Sequence, residues 1–170
     1  MTLTLLSLSI FLGFVVLTMA KFGVKDCWSA YAKDWKALTP NIVNLNVWSL
    51  VMVLIAVLLI PPLLSASEGS VWQFTGFLCP ACLIFVGLTP SDGNRSKLAK
   101  TIHAVCAPLS ALWAILYILL NATFLWWLIP AYCAIASVAT LFYGKWSWNL
   151  WFEYAAFAMI YTGLIVLYLK

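Results

Sequence analysis

Charge is what this chain has least of. Nine Lys plus Arg, five Asp plus Glu and one His are spread over 170 residues, so only 8% of the chain is charged. A water-soluble domain of this length needs a polar surface around its core, and too few polar groups are present to build one. One histidine also excludes bis-histidine haem ligation and a three-histidine zinc site. The sequence has no glycine-rich phosphate loop, no G-x-S-x-G turn and no paired carboxylates within an apolar stretch. No basic run interleaved with aromatics marks a nucleic-acid surface. No cofactor is implied, and the sequence demonstrates no enzymatic chemistry.

What fills the chain is hydrophobicity, 65% of its residues. About 20 apolar residues at 1.5 Å rise cross the roughly 30 Å hydrocarbon core of a bilayer. Six stretches meet that length, at about residues 3–20, 46–64, 71–89, 101–120, 122–143 and 150–169. The expected fold is therefore all-α: a polytopic membrane protein, one integral domain over residues 1–170, folded as a six-transmembrane-helix bundle. The first stretch reads as a span rather than a cleaved signal. Only Met1 and Thr2 precede it, and Thr18-Met19-Ala20 is a poor cleavage site.

Basic residues give the orientation. Lys21, Lys25, Lys33 and Lys36 lie in the first loop, Arg95, Lys97 and Lys100 in the third, and Lys145 in the fifth. With six spans these loops share one side, which the positive-inside rule makes cytoplasmic, so both termini are expected outside a bacterial inner membrane. Within the first loop Trp28, Tyr31, Trp35 and Leu38 recur at helical spacing opposite Lys25, Asp26, Lys33, Asp34 and Lys36. That pattern predicts one short interfacial amphipathic helix on the membrane surface, stopped by Pro40. Nine of ten tryptophans, all but Trp113, sit near span ends or in loops and read as headgroup anchors. Asn121 nearly alone separates the fourth and fifth spans, which predicts a tight antiparallel hairpin.

Chemistry is fainter. Cys79-Pro80-Ala81-Cys82 is a C-x-x-C motif, yet it sits mid-span without a basic neighbour, where thiols behave as small hydrophobes. Cys79, Cys82, Cys106 and Cys133 each lie near a proline, but nothing makes their faces converge on a metal. Pro80, Pro108 and Pro130 each remove a backbone hydrogen bond, and three such interruptions could frame a cavity. Ionisable groups inside the spans are His103 and Glu153, both near the inner end. If the fourth and sixth spans pack side by side, the two can pair. With Asp92 and Arg95 they would form the polar end of a cavity walled by Cys106, Pro108, Tyr132 and Tyr161. The competing reading is helix-end polarity, since Glu153 lies in the first turn of its helix.

The run Val86-Gly87-Leu88-Thr89-Pro90, followed by His103 one turn into the next span, resembles small bacterial six-helix membrane families of the DRAM-like group. The stretch from Phe22-Gly23 through Ser29-Ala30-Tyr31 is similar to the first loop of membrane proteins from Bacteroides-type bacteria. The resemblance implies a six-helix bundle and carries no activity. The function expected is small-molecule or lipid binding or transport through a cytoplasm-facing cavity. Alternatives are a non-catalytic accessory subunit and a thiol-redox or lipid-modifying membrane enzyme. Expected partners are membrane lipids, and a second copy or another membrane protein.

Overall fold

The computed structural model describes residues 1–38, 46–90 and 96–169. Lipid offers backbone groups no hydrogen bonds, so an apolar chain satisfies them internally as helix. Among the described residues every regular element is helical: α1 (Thr2–Phe22), α2 (Tyr31–Leu38), α3 (Val47–Ala66), α4 (Phe74–Leu88), α5 (Lys97–Asn121), α6 (Leu128–Tyr143) and α7 (Trp148–Leu169). Single 3₁₀ turns at Trp28–Ala30, Thr123–Leu125 and Lys145–Ser147 precede α2, α6 and α7. The Asn46 side chain accepts from the Trp48 N–H to start α3, and Ser96 accepts from the Ala99 N–H to start α5.

Five stretches, Thr2–Phe22, Val47–Ala66, Lys97–Asn121, Thr123–Tyr143 and Lys145–Leu169, are long and apolar enough to cross a membrane. This is a multi-pass membrane protein. The third expected span, at 71–89, is shorter than expected. Residues 71–73 form a turn pinned by bonds from Ser70 N–H to the Ser67 carbonyl and from Gln73 N–H to the Ser70 carbonyl. That leaves 15 residues in α4, about 22 Å at 1.5 Å per residue.

The packed partners show how the helices run. On α4, Gly76 lies against Leu63 and Gly87 against Ser49 and Met52, so α4 is antiparallel to α3 along its length. Gly76 also meets Tyr117, while His103 lies beside Val86 and Thr89, which makes α5 antiparallel to α4. Gly163 touches Ile118, and Tyr132 bonds Thr162 at 2.5 Å, which fixes α7 on α5 and α6 on α7. The six long elements alternate in direction. Lys21, Lys25, Lys33, Lys36, Lys97, Lys100 and Lys145 therefore gather at one end of the bundle. Glycines at 76 and 87 permit the close α4 approach, since a Cβ at Gly87 would stand 3.0 Å from the Met52 Cβ.

α1 faces the bundle with Thr4, Ser7, Phe11, Phe14 and Thr18, all buried. Ser7 donates to the Ile55 carbonyl of α3 at 3.2 Å and shares a 2.7 Å bond with the Tyr161 hydroxyl of α7. At the far end of α3, the orphan carbonyls left by helix termination are met by side chains. Ser67 and Tyr117 donate to Leu63, and Gln73 donates to Leu64.

The first loop departs most from expectation. A helix forms at α2, but its apolar face turns into the protein and not toward lipid. Trp28, Tyr31, Ala32 and Trp35 are all buried, while Leu38 is exposed. The Trp28 ring meets Phe11, Phe14, Trp48, Tyr154 and Phe157. Trp35 donates to Thr18, Tyr31 to the Gly23 carbonyl and the Asn46 amide to the Ala32 carbonyl. A lone amphipathic segment lies on the bilayer, but this one has a hollow of aromatic partners between α1, α3 and α7. Burial there gives the Trp28 ring edge-on aromatic contacts with Phe11, Trp48, Tyr154 and Phe157. Trp28, Trp35 and Trp48 are thus core residues, whereas Trp72, Trp126, Trp127, Trp146 and Trp148 are exposed as anchors would be. Pro40 lies outside the described residues.

Candidate functional site

The hairpin expected at Asn121 does not close. The Thr123–Leu125 turn carries the chain sideways, and α6 packs along α7 rather than along α5. Between α5, α6 and α7 lies a cleft of about 690 Å³, open on one side. Its body is apolar. Ala107, Pro108, Ala111, Leu112 and Ile115 of α5 face Ile129, Tyr132 and Cys133 of α6, with Ala155, Ala156 and Met159 of α7 behind. Four alanines in this lining leave the space that larger side chains would fill. At the lysine-rich end of the bundle the lining becomes polar: His103, Asn149 and Glu153, joined by Cys27 and Ser29 from the first loop. The volume falls within the range of ordinary ligand sites, about 300–1,000 Å³.

Glu153 and His103 share this cavity without a hydrogen bond or ion pair between them. The pairing expected from sequence is replaced by another partner. The Trp28 N–H donates to Glu153 Oε2 at 2.7 Å, so the carboxylate holds the start of the 3₁₀ turn that carries the aromatic plug. A second bond ties the same turn to α7, from the Leu150 N–H to the Asp26 carbonyl at 3.1 Å. Next to it Cys27 lies 3.3 Å from the Ser29 hydroxyl, and burial pushes its thiol above the ordinary range. His103 Nδ1 is buried and has no partner.

The remaining expected residues separate. Tyr132 lines the cleft. Tyr161 faces the opposite side of α7, bound to Ser7 in the α1–α3–α7 core. Cys106 packs against the core and beside Cys82 of α4, outside the cleft lining. Asp92 and Arg95 lie outside the described residues. Of the three prolines, Pro108 lines the cleft, Pro80 is buried within α4, and Pro130 is the third residue of α6. A first-turn proline removes no helical bond, so Pro130 interrupts nothing. All five cysteines are free. Among the described residues no cluster of His, Cys, Asp and Glu has the makings of a metal site. Sequence reasoning missed Cys27 and Ser29, because only the return of the first loop into the bundle brings them to α7. It also missed the alanine set, whose recurrence at 107, 111, 155 and 156 was the available signal.

The fold and the cleft define a class: an all-helical multi-pass membrane protein with an apolar lateral cavity and one polar end. No family model matches the chain, and no curated protein or solved structure matches it.

Proposed function

We propose that this protein binds an amphipathic small molecule or lipid in the α5–α6–α7 cleft and passes or presents it at the inner membrane face. The cleft itself carries the reading: an apolar body of about 690 Å³ with its polar groups gathered at one end. An apolar molecule with a polar head gains by placing each part against its like. Six crossings suit the alternating helix directions, with α4 completed by its flanking turns or by local thinning of the bilayer. Seven lysines at one end support a cytoplasmic inner end and outward termini in a bacterial inner membrane. Filling the cleft with Ala111→Phe should abolish retention of a photoreactive fatty-chain probe, while Leu141→Phe on the exposed flank should not. Equal labelling of both variants overturns the reading. Cysteine introduced at Lys97 should resist membrane-impermeant maleimide in intact cells.

A second reading is supported by α6, which presents Ile135, Val138, Leu141 and Phe142 as an exposed apolar flank. An accessory subunit would bury that flank against a membrane partner or a second copy. Cross-linking in native membranes from Val138→Cys would then give a discrete larger species.

A further inference from the structure

We infer that the head group held at the polar end of the cleft is a cation, and that the ligand is an apolar chain or body ending in a protonated amine. The inference deepens the reading of the cleft as a ligand site and rests on it. Glu153 lines both the main cleft and the small chamber of about 60 Å³ beside it. Its Oε2 accepts from the Trp28 N–H, and its Oε1 accepts from no described group. Oε1 is also not one of the sealed, unpartnered side-chain atoms of the interior, so this oxygen is open to the cavity. A carboxylate drawn into a largely apolar space is costly unless cations or donors meet it. Here the chain supplies one N–H and leaves the other oxygen for the ligand.

No fixed positive charge competes for that oxygen. Among the described residues no Lys or Arg lines either cavity, so the lysines of this end stay outside the lining. Lys25, the lysine closest in sequence to Trp28, pairs with Asp34 at 3.2 Å. His103 is the one basic side chain in the lining, and its ring is engaged by the Val86 and Thr89 carbonyls of α4. Asp26 adds a second carboxylate near Glu153, because its carbonyl is tied to the Leu150 N–H in the first turn of α7. An anionic head is repelled by both carboxylates, and a neutral head leaves the Glu153 charge unmatched. An ammonium answers both, and the Ser29 hydroxyl and Asn149 amide of the same lining are further acceptors for its N–H groups. Trp148 and Phe152, edge-on at 6.1 Å, also stand in the lining, and aromatic rings attract cations. The apolar part of the molecule lies along Ala111, Ile115, Ile129 and Met159. The ligand class is a lipophilic amine, and it excludes fatty acids and anionic phospholipids.

The test uses the full chain in phosphatidylcholine nanodiscs at neutral pH with a diazirine-bearing dodecylamine, competed by dodecylamine, dodecanol and dodecanoate. Cross-links should map to α5, α6 and α7. Dodecylamine should compete at least about tenfold better than dodecanol, the worth of one charge-assisted hydrogen bond, with dodecanoate weakest. Glu153→Gln keeps an acceptor for the Trp28 N–H and removes the charge, so the amine's advantage should shrink to within about twofold. Partitioning of each compound into the bilayer is common to both proteins and cancels in that comparison. Asn149→Lys, at an exposed position one turn from Glu153, supplies an internal cation without removing the Trp28 bond and should have the same effect. Equal competition by amine and alcohol in the wild-type protein, or an amine advantage unchanged in both variants, overturns the head-group inference and leaves the cleft intact. Labelling that ignores Ala111→Phe removes the cleft reading as well.

Discussion

Two sides of α7 are built on different principles. Toward α1 and α3 it is packed with aromatic rings and stitched by polar bonds: Phe157 stacks on Phe11 at 4.9 Å, and Tyr161 bonds Ser7. Toward α5 and α6 it presents Ala155 and Ala156 to open space. The same helix thus anchors a tight core and walls a cavity. The contrast shows that the large vacancy is local and placed, since the neighbouring interface holds only small voids, of about 60 and 30 Å³. Glu153 stands at the junction, with its side chain on the cleft and its hydrogen bond on the plug.

The largest expected effect comes from breaking the tight side. Trp28→Ala removes the ring at the centre of the aromatic cluster and should cost about 3–5 kcal/mol, read by thermal unfolding in detergent. The junction comes next. Glu153→Ala leaves the Trp28 N–H unpaired and should cost about 1–3 kcal/mol, with Glu153→Gln recovering most of it because the amide oxygen still accepts. Protease cleavage within residues 23–38 should rise in the alanine variant and not in the glutamine one.

A paired enlargement sharpens the comparison directly. Gly87→Leu forces a side chain into the Met52 contact and should destabilise by about 1–3 kcal/mol, whereas Ala111→Phe enters vacant cleft and should cost less than about 1 kcal/mol. Equal losses would mean the two interfaces are packed alike. Smaller still is the Ser7–Tyr161 bond. A double-mutant cycle with Ser7→Ala and Tyr161→Phe should give a coupling of about 0.6 kcal/mol, the average for bonds between membrane helices. The last effect is kinetic. Burial raises the Cys27 thiol pKa, so less thiolate exists at neutral pH than for a free cysteine. Alkylation of Cys27 should be slow at pH 7.5 and continue to accelerate above pH 9.

Much of the frame was legible in the chain. Apolar runs located the long helices to within a few residues, and the lysines marked a common end. Pattern reading missed at Val71–Gln73, where an apolar sequence turns, and at Asn121, where a short connector does not join neighbours. Of the candidate site, His103, Glu153 and Tyr132 share one cavity, while Tyr161 and Cys106 do not line it. Position along each helix followed from chain order, and which side of the helix faces the cavity did not.

That division has a physical cause. The sequence by itself determined helix and membrane burial, because lipid forbids an unpaired backbone and about 20 apolar residues fill its thickness. Which face of each helix points inward was left to the tertiary structure, since lipid tails are as apolar as a protein core and hydrophobicity favours neither. Small and polar groups broke the tie: Ser7 and Thr18 turned α1, Gly76 and Gly87 drew α4 onto α3, and Tyr132 fastened α6 to α7. Only after those choices did the first loop have a hollow for Trp28, and only then did a cleft remain between α5 and α6.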